Sequence, residues 1–107
     1  MNNDVRNEIR ILAKLIVDRC KPKKIILFGS AARGESRPNS DIDLLIIRNT
    51  DKKRPFRVKE IFEALRGQKR NFPLDPIVYT PEEIEKRLSM GDYFIKRVLS
   101  EGKTLYG

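Results

Sequence analysis

The stretch Lys24-Ile-Ile-Leu-Phe-Gly-Ser-Ala-Ala-Arg-Gly-Glu-Ser-Arg-Pro-Asn-Ser-Asp-Ile-Asp-Leu-Leu-Ile-Ile47 contains two short apolar runs, joined by a Gly-Ser corner and a polar segment. The first run, Lys24 to Phe28, is β-branched and short, and reads as a buried strand. It stops at Gly29-Ser30, where a short helix or turn is expected. Residues 35–40, marked by Pro38-Asn39-Ser40, read as a loop. The second run, about Asp41 to Ile47, sets Ile42, Leu44 and Ile46 on one face and Leu45 and Ile47 on the other. A strand that is apolar on both sides is buried on both sides, so it is expected at the centre of a sheet.

Two carboxylates stand where this second strand begins. Side chains at i and i+2 of a strand share a face, so Asp41 and Asp43 are expected side by side. Like charges held that close are unfavourable unless a cation lies between them. Paired hard oxygen ligands suit Mg²⁺, an ion that also binds substrate phosphates. Taken alone, Asp-x-Asp reads more readily as turn residues ahead of a strand. The Gly29-Ser30 corner adds to the pattern. A strand that ends in Gly-Ser and opens a helix presents backbone N–H groups and a hydroxyl, which together hold phosphate oxygens well. An isolated Gly-Ser would be an ordinary capped turn. Arg33 reads equally as a phosphate contact and as a surface residue of the short helix.

Gly29-Ser30, ten intervening residues and then Asp41-Ile42-Asp43 resemble the signature of the DNA polymerase β-like nucleotidyltransferases. The longer string from Phe28 to Leu45 is similar to its minimal nucleotidyltransferase branch. The resemblance covers Lys24 to Thr80, and the closing Glu101-Gly-Lys-Thr-Leu-Tyr106 is familiar as well. It implies a third carboxylate on a later strand, matched in kind and place by Asp75 in Leu74-Asp-Pro-Ile-Val-Tyr-Thr80. Pro76 departs from the pattern. It removes a backbone donor, marks an edge or a strand start, and leaves the aim of Asp75 open.

The resemblance further implies transfer of AMP from ATP with release of pyrophosphate. Asp41, Asp43 and Asp75 would hold two Mg²⁺ ions, or Mn²⁺. Gly29 and Ser30 would grip the β- and γ-phosphates, and Asp75 would help to activate the attacking hydroxyl. Minimal nucleotidyltransferases are often paired with HEPN-domain proteins in toxin–antitoxin systems, and some adenylylate a tyrosine of that partner. A HEPN protein is therefore the expected partner. Two other readings stand beside this one: an antitoxin that neutralises its partner by binding alone, and a tailoring enzyme for RNA ends or a small molecule.

Composition narrows the chemistry. The 107 residues are the length of one domain, expected to span 1–107. The absence of histidine excludes Ser-His-Asp and Cys-His catalysis and any His-ligated zinc. The formal net charge of +8 suits polyanionic partners such as nucleotides. Nucleic acid is compatible with that charge but not indicated, since the aromatic residues do not interleave with the basic ones. The basic runs Lys52-Lys53-Arg54 and Arg66 to Arg70 read as solvated loops. One cysteine, Cys20, reads as a buried thiol in a reducing compartment. With no long apolar stretch and no signal pattern at the N-terminus, the expectation is a cytoplasmic protein with no membrane span, and an oligomer is compatible with this.

Working outward, Val5, Ile9, Leu12 and Ile16 recur at helical spacing, so Asn3 to Cys20 is expected as an amphipathic helix stopped by Lys21-Pro22. Residues 48–54 read as an exposed connection. Arg57 to Leu65 reads as a helix with the stripe Val58, Ile61, Phe62 and Leu65, ended by Gly67. Asp75 to Tyr79 reads as a third strand. Thr80-Pro-Glu-Glu83 is a capping box that opens a helix to about Leu88. Asp92 to Ser100 reads as a helix and Lys103 to Tyr106 as a short strand. The fold class expected is α/β (α+β): the nucleotidyltransferase fold, a small mixed sheet flanked by helices.

Overall fold

A computed structural model describes residues 3–34 and 41–107, so the loop expected at 35–40 lies outside the described residues. The elements run α1 (Asn3–Cys20), β1 (Lys24–Phe28), α2 (Gly29–Ala32), β2 (Ile42–Ile47), α3 (Arg54–Ala64), β3 (Leu74–Tyr79), α4 (Pro81–Ser89), α5 (Tyr93–Glu101) and β4 (Lys103–Tyr106). The sheet has the order β3-β2-β1-β4. It is mixed: β1 is antiparallel to β2 and to β4, and β2 is parallel to β3.

Strand β2 is interior, as its two apolar faces require. Ile42, Leu44 and Ile46 join Ile25, Leu27, Val78, Leu12 and Ile16 in one core, beneath α1 and α3. Leu45 and Ile47 join Ile26, Tyr79, Ile84, Ile95 and Val98 in the other, beneath α4 and α5. Burying such aliphatic side chains contributes roughly 1.5–3 kcal/mol each. Cys20 ends α1 and is buried, which pushes its thiol pKa up. Among the described residues no helix is long and apolar enough to cross a membrane.

The helix expected from Arg57 begins earlier, at Arg54, with Pro55 in its first turn. Its buried positions are Arg57, Ile61, Ala64 and Leu65, while Val58 and Phe62 are only half-buried. Arg57 takes the inner place because its guanidinium finds a full set of acceptors. It donates to Lys52 O (2.6 Å) and Val78 O (3.2 Å), and bidentately to the Glu83 carboxylate (2.6 and 3.2 Å). Glu83 also completes the capping box of α4: its carboxylate accepts from Thr80 N, and its own N–H donates to Thr80 Oγ1. One ion pair thus ties α3, β3 and α4 together.

The Arg57 hydrogen bonds are the largest influence holding the Glu83 carboxyl down at about 2. A depressed carboxyl stabilises the fold fully above its ordinary value of 4.5, and the contribution is lost as pH falls towards 2. Arg57→Met is expected to cost about 2–3 kcal/mol at neutral pH. It should also flatten the fall in stability over that acid window. Urea titrations between neutral pH and pH 2 check both, and an unchanged acid limb would remove this pair from the ledger.

Two further polar ties fix the chain between elements. The buried carboxylate of Glu8 on α1 accepts from Asn71 N and Phe72 N, both at 2.9 Å, which fixes the chain as it enters β3. Asp92 caps α5 by accepting from Ile95 N (3.1 Å) and is held by Arg87 Nη1 (3.0 Å), which sets the turn between α4 and α5.

Candidate active site

Strand register brings distant residues into one row. Phe28 of β1 pairs with Asp43 of β2, and Asp43 pairs with Asp75 of β3. Side-chain alternation then puts Asp43 and Asp75 on the face that carries Leu45, Ile77 and Tyr79. Asp41, just ahead of β2, adds its carboxylate to theirs. One oxygen from each of Asp41, Asp43 and Asp75 lies within 4.8 Å of the others.

Pro76 does not turn Asp75 away. Strand β3 is at the sheet edge. Ile42 N donates to Pro73 O at 2.7 Å, so in the parallel ladder the odd-numbered residues of β3 direct their backbone groups at β2. The missing N–H of Pro76 therefore falls on the outer side, where it costs no ladder bond. Its ring is buried on the opposite face, in register with Leu44.

Electrostatics distinguish the three carboxylates. Asp41 and Asp75 are exposed and Asp43 is half-buried. The Asp43 pKa is raised to about 6, first by desolvation, then by the charges of Asp75 and Asp41 and a hydrogen bond with Asp75; the nearby Arg33 charge opposes the rise. Three hard oxygen donors whose mutual repulsion Arg33 only partly offsets fit a divalent cation of the Mg²⁺ or Mn²⁺ type. Soft metals would find neither thiolate nor imidazole here.

The Gly29-Ser30 corner lies against the same carboxylates. Gly29 has φ +76°, and a Cβ there would fall 2.3 Å from Asp43 Oδ2. The space beside Gly29 is filled by the Asp43 carboxylate itself. Helix α2 begins directly at Gly29, with Phe28, whose side chain has no acceptor, at the N-cap position. Ser30 is in the first turn, half-buried, and Arg33 ends the helix, exposed. Gly29→Ala is expected to combine backbone strain with displacement of Asp43. It should destabilise by more than about 1 kcal/mol. It should also cut nucleotide transfer by at least roughly 100-fold, the scale of an Å-sized misplacement. A melting curve and a transfer assay on the variant check this; parental activity would show that Asp43 need not stay where Gly29 allows it.

A nucleotidyltransferase domain profile matches residues 9–105. The chain belongs to the nucleotidyltransferase domain family. A Methanocaldococcus jannaschii protein with the provisional name protein adenylyltransferase MJ0604 is 38% identical over 88 residues, 82% of each chain. A second from that organism, provisionally named protein adenylyltransferase MJ1379, is 41% identical over 44 residues, 41% of this chain and 44% of its own length. The fold of this nucleotidyltransferase recurs in a toxin–antitoxin crystal structure with AMP-PNP, at TM-score 0.58 and 23% identity over 94% of this chain and 73% of the other. It recurs also in a Sulfolobus solfataricus protein provisionally described as a nucleotidyltransferase, at TM-score 0.53 and 22% identity over 80% of this chain and 81% of the other.

Proposed function

We propose that this nucleotidyltransferase moves AMP from ATP to a hydroxyl of a protein acceptor, a tyrosine of a HEPN-domain partner being the specific candidate. The convergence of Asp41, Asp43 and Asp75 beside the Gly29-Ser30 corner is the observation that carries this reading. The three carboxylates would hold Mg²⁺, with Mn²⁺ as a substitute, and the bound metal would neutralise phosphate charge and stabilise the attacking and leaving oxygens of an in-line displacement.

The chain's own residues do the rest. Backbone N–H groups of the first turn of α2 and the Ser30 hydroxyl donate to the β- and γ-phosphates, and Arg33, at the other end of this short helix, adds positive charge close enough to act on Asp43. Asp75 accepts the proton of the acceptor hydroxyl. The hydroxyl oxygen then bonds to the α-phosphorus as the bond to pyrophosphate breaks. Little covalent chemistry is asked of the protein, so positioning and electrostatics carry the rate.

A macromolecular acceptor is supported by the placement of Asp75. It is exposed on an edge strand, on the side away from the pyrophosphate corner, where a bulky partner could approach. The provisional names of the M. jannaschii relatives also favour a protein acceptor. The toxin–antitoxin assembly with AMP-PNP, a structure of the same fold, supports a partner that is itself a protein. The test is incubation with α-labelled ATP and Mg²⁺, with and without a co-purifying partner, followed by peptide mapping. Label on a partner tyrosine supports the full reading. Label on RNA or a small molecule, and none on protein, replaces the acceptor.

A further inference from the structure

A groove of about 410 Å³ runs between α2 and α5. Phe28, Gly29 and Arg33 line one side, and Tyr93, Phe94 and Arg97 the other. Gly29 belongs both to this groove and to the corner packed against Asp43, so the groove adjoins the corner on which that carboxylate rests. Its walls are aromatic. Phe94 meets Phe28 edge-on, with ring centroids 5.6 Å apart and planes at 82°. Helix α5 anchors itself in the core through Ile95 and Val98, yet Tyr93 remains 72% exposed and Phe94 46%. Arg97 is at the rim, held by Glu101 at 3.3 Å.

We propose that this groove seats the nucleoside of the triphosphate, with the base against the rings of Tyr93 and Phe94. The inference rests on the function proposed above and extends it to the part of the substrate that the carboxylates and the corner do not touch. In-line displacement decides between the two candidate occupants. If pyrophosphate leaves on the β1 side, at Gly29-Ser30, the attacking hydroxyl must arrive from the β3 side, where Asp75 stands. The groove is on the β1 side, against α2 and α5, so the acceptor does not pass through it. The nucleoside hangs from a non-reacting oxygen of the α-phosphate, off the in-line axis, and its base is planar with apolar faces. Base–aromatic stacking tolerates any base, and guanidinium groups beside the rings reinforce it. A mostly apolar cleft with few polar groups at its rim, of several hundred Å³, is the usual form of a small-molecule site. The two phenylalanines that meet here, Phe28 and Phe94, lie far apart in the chain, so no local run of sequence displays the platform.

The experiment is a calorimetric titration of the intact chain with ATP and with tripolyphosphate, each with Mg²⁺, for the parent, Tyr93→Ala and Phe94→Leu. The variants should bind ATP roughly 5- to 100-fold more weakly, the loss of one stacking contact, and tripolyphosphate as the parent does. Parental ATP affinity in both variants would overturn the proposal, including the case in which only transfer to the acceptor falls. Equal losses for ATP and tripolyphosphate would also overturn it, since the groove would then act on the phosphates. Tyr93→Ala alters an exposed side chain and carries the test if Phe94→Leu fails to fold. A parent that binds ATP but not tripolyphosphate would leave the groove standing and remove the phosphate role of Gly29-Ser30. A parent that binds neither would end both proposals.

Discussion

Asp43→Asn is expected to abolish nucleotide transfer, by at least roughly 10³-fold, and at the same time to make the metal-free protein more stable. Both effects come from one cause. In the metal-free protein the ionised Asp43 is half-buried beside Asp41 and Asp75, and its pKa stands at about 6 instead of 3.8. A raised carboxyl pKa means that the folded state binds the proton more tightly than the unfolded chain. Its ionisation therefore costs stability, progressively as pH rises from about 4 to about 6, and the cost persists at neutral pH. A shift of that size would correspond to about 3 kcal/mol without screening, and solvent at a half-exposed site reduces it to about 1–2. Asparagine has the same shape and no charge to desolvate, so the variant should melt roughly 5–10 °C above the parent in chelator at neutral pH. At pH 4 the two should melt together. Addition of Mn²⁺ should stabilise the parent and leave the variant unmoved. Scanning calorimetry at two pH values, with chelator and with metal, tests each statement. A variant that melts below the parent in chelator would show that Asp43 contributes to the fold and is not held there at a cost.

That tension explains why the site was readable and where reading stopped. Carboxylates at i and i+2 at the head of an apolar strand conflict with the local preference for burial, and such conflicts gather at functional sites. The strands and most helices followed from periodicity: β1 and α1 occupy the ranges expected of them, and the capping box at Thr80 forms as its residues suggest. The aim of Asp75 could not be read, because it depends on which backbone groups of β3 face β2. The bond from Ile42 N to Pro73 O decides that, and it is a long-range fact. Arg57 was missed for a similar reason. A charged residue takes an interior helical position only when distant acceptors exist, here Val78 O and the Glu83 carboxylate. Gly29 was expected at a turn, and its crowding by Asp43 emerges only from the β1–β2 register.

Asp75→Asn is expected to separate chemistry from binding. Asp75 is the exposed member of the trio contributed by the edge strand, and its proposed task is to take the acceptor's proton. General-base contributions of this kind are typically about 10²–10⁴-fold, so transfer should fall by that much. ATP binding in the presence of Mg²⁺ should change little, since Asp41, Asp43 and the Gly29-Ser30 corner remain. A rate lost with binding retained is the pattern of an interaction made in the transition state. An independent signature accompanies it. The Asp75 charge and its hydrogen bond both raise the Asp43 pKa, so their removal should lower the pH at which protons compete with Mn²⁺ from about 6 towards the ordinary carboxyl range. If the Asp75 carboxylate stood apart from Asp43, its replacement would leave that midpoint in place. The same variant judges the rival view that the chain neutralises a partner by binding alone. Asp75 is exposed and its replacement leaves the fold untouched, so any complex should survive it. Full neutralisation by Asp75→Asn, with no nucleotide added to any chain, would favour binding over catalysis. Loss of neutralisation in a complex that still forms would tie the effect to the transferred nucleotide.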